Sequence, residues 1–446
     1  MARNTIKLLM FVVFCSWPAW ADGAVYAMTN ALGNNYILVY HRASNGNLSP
    51  STPIQTIATG GGGSGLQLAA VDPLGSAGAV QLDPAHRLLF AVNTESAKEN
   101  NGVGPYNNDC KPGTITSFLV ASDGTLTFAD RVSSGGLFPN SLTVKTRGHG
   151  ENHGDDVEEN GGDLLYVLNA GGPGTCGTSP NINGFKVNRY GHMKPVGSQR
   201  AIDPGPASGT GVNCPPVGFA PAADFQCGLN PPSFPRSPAQ VRFTPNGEQL
   251  IVTVKGTSTI YVFPVEENER AGKPDMSQAP GPGLPSFFGF TFDKNDHLLV
   301  TELFGTATAI PTGGAGAVSS FSVTEDGDLP TISAHIGDGG TAACWIALEP
   351  TAGKYAYVSN NLSASISSYS VGTNGSLTLL AGTAAAASGP NDLATAAEGS
   401  ASFLYVVAAG TGTVGAFQVN LTNGSLIPLS GGTGLPTADA QGLAAF

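Results

Sequence analysis

Glu95, Glu302 and Lys255 are the residues of this sequence whose types could do acid–base chemistry together. A carboxylate pair can give and take a proton while an ammonium steadies a developing negative charge, the equipment that opening or closing an acyl ring requires within hydrogen-bond reach. Each closes a short apolar run. Asn30, Asn93, Asn169 and Asn360 close corresponding runs, and Asn140, Gln240 and Asp392 open others, so all ten are expected to gather around one mouth, the last seven as ligand-binding groups. The plainer reading of the Asn and Gln side chains is that they cap strand ends and hold ordered water.

The remaining reactive residues are cysteines and one charged loop. Cys110, Cys176, Cys214 and Cys227 lie in Pro- and Gly-rich stretches, where two disulfides would order loops that have no strands of their own. Three pairings are open, of which Cys214 with Cys227 is the most local. Their spacings match no zinc signature. Cys344, beside Trp345, reads as a buried inert thiol, since no histidine is visible in an inner strand to activate it. Residues 149–159 combine His149 and His153 with five carboxylates. They lack the fixed ligand spacing of a calcium loop and read as a solvated face, so no metal and no cofactor is expected. Five glycosylation-type tripeptides begin at Asn47, Asn361, Asn374, Asn420 and Asn423.

The elements that must position these groups repeat. An apolar run ends in a small or polar cluster, an alternating strand follows, then an Asx-Gly or Gly-containing turn and a strand opening with Ser, Thr or Leu. Copies lie at 25–30, 88–93, 164–170 with 182–187, 249–254 with 258–265, 297–303, 354–360 with 365–380, and 403–409 with 413–429. A further short apolar strand precedes all but the first, as in Ala239-Gln240-Val241-Arg242-Phe243 and Cys344-Trp345-Ile346-Ala347-Leu348. The strand missing from the first copy is supplied by residues 442–446. A chain that begins one strand late and ends with that strand closes a ring and leaves no free sheet edge. The pattern predicts an all-β, seven-bladed β-propeller with blades at 24–58 plus 438–446, 78–134, 138–202, 237–280, 285–336, 341–384 and 389–432. Connections between second and third strands share a face with those between blades. This puts the insertions at 59–77, 97–112, 172–181 and 203–236 on one face and the loop at 146–162 on the other.

Composition agrees. The chain has 61 Gly, 32 Pro and only 12% charged residues, which suits many short strands joined by tight turns. Its net charge of −12, with 20 thinly spread basic residues, excludes a phosphate-binding stripe and with it nucleic acid as a partner. Arg3 and Lys7, the apolar run 8–14 and Ala19-Trp20-Ala21 read as a secretory signal over residues 1–21. Residues 22–446 then form one domain, secreted to the periplasm or beyond the cell. No run is long enough to span a bilayer, and a ring without free edges is expected to be a monomer.

Several of these pieces resemble the lactonase-type seven-bladed propellers, the family of bacterial 6-phosphogluconolactonase and fungal carboxymuconate-lactonizing enzyme. The carriers are Leu164-Leu165-Tyr166-Val167-Leu168-Asn169, Val241-Arg242-Phe243-Thr244-Pro245-Asn246-Gly247, Lys354-Tyr355-Ala356-Tyr357-Val358-Ser359-Asn360 and the Asn-Gly-Ser-Leu turns at 374–377 and 423–426. The resemblance implies a lactonase or cycloisomerase. Where that family opens its fourth blade with Gly-Pro-Arg-His, this chain has Ser237-Pro238-Ala239-Gln240, and the glutamate ending the next strand falls on Lys255. The family's catalytic residues therefore have no counterparts at these positions. Two functions follow as expectations: an exported lactonase-like enzyme acting on a small lactone at the channel mouth through Glu302, Glu95 and Lys255, or a non-catalytic propeller that binds an extracellular ligand, glycan or protein on its disulfide-stapled face.

Overall fold

A computed structural model describes residues 23–64, 72–95, 111–147, 162–171, 179–202, 237–255, 257–278, 285–304 and 315–446. The expected leader, Cys110, Cys176, Cys214, Cys227, residues 149–159 and nearly all of the insertions at 97–112 and 203–236 lie outside the described residues. All regular structure among the described residues is β.

The first blade contains β1 (Gly23–Met28), β2 (Tyr36–Arg42) and β3 (Gln55–Ala58). Blade two is β4 (Val80–Asp83), β5 (Leu88–Asn93), β6 (Thr114–Val120) and β7 (Leu126–Ser133). Blade three is β8 (Pro139–Lys145), β9 (Asp163–Asn169), β10 (Asn181–Val187) and β11 (Met193–Ala201). Blade four is β12 (Pro238–Phe243), β13 (Gln249–Val254), β14 (Thr259–Pro264) and β15 (Asp275–Gln278). Blade five is β16 (Ser286–Phe292), β17 (Leu298–Leu303), β18 (Ala315–Phe321) and β19 (Thr331–Thr341). Blade six is β20 (Ala343–Leu348), β21 (Tyr355–Asn360), β22 (Ser365–Val371) and β23 (Leu377–Ala386). Blade seven is β24 (Pro390–Glu398), β25 (Ala401–Ala408), β26 (Thr413–Val419) and β27 (Leu426–Thr433), after which β28 (Leu443–Ala445) returns to blade one. The result is seven four-stranded antiparallel sheets, a seven-bladed propeller.

Closure takes the expected form. β28 lies antiparallel to β1 with Val25 opposite Ala445, Tyr26 opposite Ala444 and Ala27 opposite Leu443. Arg42 Nε donates to Phe446 O at 2.7 Å, while its Nη2 meets Glu398 Oε2 at 3.0 Å and so ties the last blade to the first. Pairing the two chain ends satisfies backbone groups that would otherwise form an exposed edge.

Second strands are sandwiched between neighbouring blades. β5, β13 and β21 are buried at every residue, whereas β3 and β23 alternate or stay exposed. Such burial stabilises by roughly 1.5–3 kcal/mol per large aliphatic side chain. Tyrosines on these strands also stitch blade to blade. Tyr26 donates to Gly124 O, Tyr166 to Glu269 O, Tyr357 to Gly424 O and Tyr405 to Gly46 O, at 2.8, 2.8, 2.9 and 2.8 Å. In each pair the acceptor is an outer-hairpin turn of the next blade in the ring. Gly46, Gly124 and Gly424 have φ of 83°, 82° and 74°, which side-chain-bearing residues adopt only with strain.

Candidate functional site

Residues 74–78 cross the axis of the ring. Ala77 N donates to Ala239 O at 3.1 Å, and Leu142 N to Gly78 O at 2.8 Å. The Ser76 carbonyl accepts from Trp345 Nε1 at 3.0 Å and Gln441 Nε2 at 2.7 Å, and Ser76 Oγ donates to Asn140 O at 2.6 Å. Leu74 N donates to Gln441 Oε1 at 2.8 Å. Residues 74–78 are thus bonded to first-strand positions of blades three, four and six and to the stretch leading into β28.

Lys255 lies beneath this segment. Its ammonium donates to Gly75 O and sits 4.9 Å from the Phe288 ring, with 2% of the residue exposed. Burial lowers its pKa and raises that of Asp72, and the attraction between the two opposes both shifts. Asp392 is also buried. Its carboxylate accepts from Leu393 N at 2.8 Å and Leu443 N at 3.1 Å, yet burial pushes its pKa up to about 8. Cys344 is buried, and burial raises its thiol pKa well above the ordinary value, the opposite of what a thiolate nucleophile requires.

Glu95 stands elsewhere, as the clamp of the Gly60–63 tract. It accepts from Thr114 Oγ1 at 2.7 Å and from Gly62 N at 3.3 Å, and its Oε1 lies 3.6 Å from Arg131 Nη1. A Cβ on Gly61 would fall 2.4 Å from Glu95 Oε1 and 2.7 Å from Asn93 Cβ, so this glycine permits a close backbone approach.

The Asn and Gln positions are buried and engaged by the scaffold. Asn93 accepts from Thr59 Oγ1 at 2.6 Å and donates to Thr116 Oγ1 at 3.0 Å. Asn169 donates to Asn181 Oδ1 at 3.0 Å, Asn360 to Ser367 Oγ at 2.5 Å, and Asn140 to Pro238 O at 3.0 Å. Asn30 donates to Ser64 Oγ at 2.8 Å, and Gln240 Oε1 accepts from Phe290 N at 2.7 Å. Gly136, in the connection from blade two to blade three, and Gly340, near the end of β19, seat on Asn169 and Asn360: an added Cβ would lie 2.6 and 2.5 Å from their Cγ atoms.

Glu302 has the surroundings of an acid–base group. Its side chain is fully buried, with Ser319 Oγ donating to Oε1 at 2.7 Å and His335 Nδ1 2.8 Å from Oε2. The His335 side chain is 42% exposed. Burial raises the Glu302 pKa, and its bonds to His335 and Ser319 pull it back. Irregular register between β18 and β19 accompanies a φ of 51° at His335, and His335 N donates to Ser319 Oγ at 2.9 Å. Bulges of this kind re-aim a side chain, here toward the buried carboxylate. The pair borders a pocket of about 110 Å³ between blades four and five, lined also by Ile260, Ser277, Phe287 and Thr331.

Glu95, Glu302 and Lys255 thus have three different sets of partners among the described residues. Sequence reading missed His335 and Asp72, because neither a bulge nor the insertion's path across the axis has a sequence signature.

Comparison with known proteins agrees with this architecture. The family described as Lactonase, 7-bladed beta-propeller matches residues 234–438. Among solved structures, a periplasmic gluconolactonase from Pseudomonas aeruginosa superposes with a TM-score of 0.62 at 16% identity, covering 95% of this chain and 98% of that one. A putative 6-phosphogluconolactonase from Bacteroides fragilis gives a TM-score of 0.57 at 16% identity, covering 96% of this chain and 98% of that one. At such identity the likeness is one of fold. No curated protein matches the sequence.

Proposed function

Starting from a seven-bladed propeller of the lactonase type, we propose that the protein hydrolyses a small lactone in the pocket between blades four and five, with His335 as general base. The observation that carries this reading is the 2.8 Å contact between His335 Nδ1 and the buried Glu302 carboxylate, beside a part-exposed imidazole. Glu302 fixes the ring and its tautomer, leaving Nε2 to take a proton from water. That water attacks the lactone carbonyl carbon, the ring C–O bond breaks, and the departing alkoxide recovers the proton from His335. The acid so formed releases a proton to solvent at neutral pH. The pocket's volume of about 110 Å³ is well under the roughly 300 Å³ of a drug-sized site, so a small ring is the fitting substrate. Its described lining holds neither Lys nor Arg, which favours an uncharged lactone over a phosphorylated one. The leader-like residues 1–21 support export as part of the same reading.

The test is proton release by the purified protein against aliphatic, sugar and muconate-type lactones, comparing wild type with His335→Gln and Glu302→Gln. Turnover lost in His335→Gln and reduced in Glu302→Gln supports the reading, and turnover untouched by both refutes it. The passage of residues 74–78 across the axis favours a second reading, a non-catalytic propeller that binds an extracellular ligand on its insertion face. Absence of turnover on every lactone by the folded protein would select it.

A further inference from the structure

On the face opposite the segment 74–78, the first hairpin of blade two meets the start of β9. Asp83, His86 and Asp163 converge there, each offering a ligand atom within 4.8 Å of the others. His86 Nδ1 lies 2.9 and 2.8 Å from the two Asp163 oxygens and 3.3 Å from Asp83 Oδ2. Both carboxylate side chains are fully buried, while the His86 side chain is 20% exposed.

Turn capping accounts for only part of this arrangement. Asp83 Oδ1 accepts from Ala85 N at 3.1 Å and Thr146 Oγ1 at 2.9 Å, as an Asx turn requires. Asp83 Oδ2 is buried, takes no hydrogen bond among the described residues and points at His86. The corresponding hairpin of blade five supplies an internal comparison. There Asp293 Oδ2 lies 2.8 Å from His297 Nδ1, and no second carboxylate joins them among the described residues. The turn therefore does not need Asp163. Two carboxylates buried side by side repel one another, and a cation bound between them would relieve that repulsion.

We propose that Asp83, His86 and Asp163 bind a divalent cation of the zinc or manganese kind. One imidazole with two carboxylates is the mixed nitrogen and oxygen set such ions take. Metal–ligand bonds of about 2.1 Å give ligand–ligand edges of about 3.0 Å in an octahedron and about 3.4 Å in a tetrahedron, close to the distances from His86 Nδ1 to the two carboxylates. Residues 149–159, rich in His and carboxylates, lie outside the described residues.

Equilibrium dialysis of the full chain against Zn²⁺, with bound metal counted by mass spectrometry, should find an ion whose affinity falls about 100-fold or more in both Asp163→Asn and His86→Gln. No bound ion, or binding equally tight in both variants, overturns the proposal, the latter placing the ion elsewhere. Should the variants fail to fold, anomalous scattering at the zinc edge from Zn²⁺-soaked wild-type crystals decides. A peak among the three side chains upholds the site, and its absence there overturns it.

Discussion

Tyr357, on the second strand of blade six, donates its hydroxyl to the carbonyl of Gly424 in the outer turn of blade seven at 2.9 Å. The bond is buried, and the turn it reaches is the second Asn-Gly-Ser-Leu copy. The two sequence motifs that marked the repeat are therefore halves of one contact between blades. Tyr357→Phe keeps the ring and leaves the Gly424 carbonyl without this donor. It should cost about 1 kcal/mol, read from the midpoint of urea unfolding. A variant as stable as wild type would mean that the stitch adds nothing to ring stability.

Gly136→Ala tests how closely the blades seat. The new Cβ would lie 2.6 Å from Asn169 Cγ, and Asn169 is itself bonded to Asn181 and Ser134 O, so it has little room to yield. Overpacking of this kind typically costs about 1–3 kcal/mol. Differential scanning calorimetry should show a lower transition temperature, and an unchanged one would show that the junction relaxes freely.

Lys255→Met separates scaffold from catalysis. Removing the ammonium leaves the buried Asp72 carboxylate without the opposite charge that lowers its pKa, so the midpoint of urea unfolding should fall. Lys255→Met with Asp72→Asn should regain part of that loss. Lactone turnover per folded molecule should survive in the double variant. Its disappearance would return Lys255 to the active site.

Asp392 makes stability depend on pH. Its folded-state pKa of about 8 lies above the ordinary value of 3.8, so its contribution is complete below about pH 4 and fades as pH rises toward 8. Asp392→Asn removes that dependence. Relative to wild type, the variant should gain stability between pH 5 and pH 8, with an upper bound of a few kcal/mol. Parallel denaturation curves across that range would show that Asp392 does not titrate as its burial implies.

The seven blades, their boundaries and the closure of the first by the last strand were legible in the sequence. Strand periodicity and turn chemistry are local, and a chain starting one strand late has a single way to remove its open edge. The strand-end positions were legible too, but not their employment. Asn93, Asn169 and Asn360 stand at equivalent strand ends, where polar side chains on the third strands and glycines from the end of the preceding blade or the connection after it engage them. Glu302 was visible as a charged strand end, whereas its partner His335 is 33 residues away and reaches it across an irregular strand pair. Asp72 and Lys255 are 183 positions apart in the chain and interact because residues 74–78 cross the axis. Local pattern thus determined the scaffold, and only tertiary structure decided which charges are buried and which side chains meet, since burial and long-range contact belong to the closed ring.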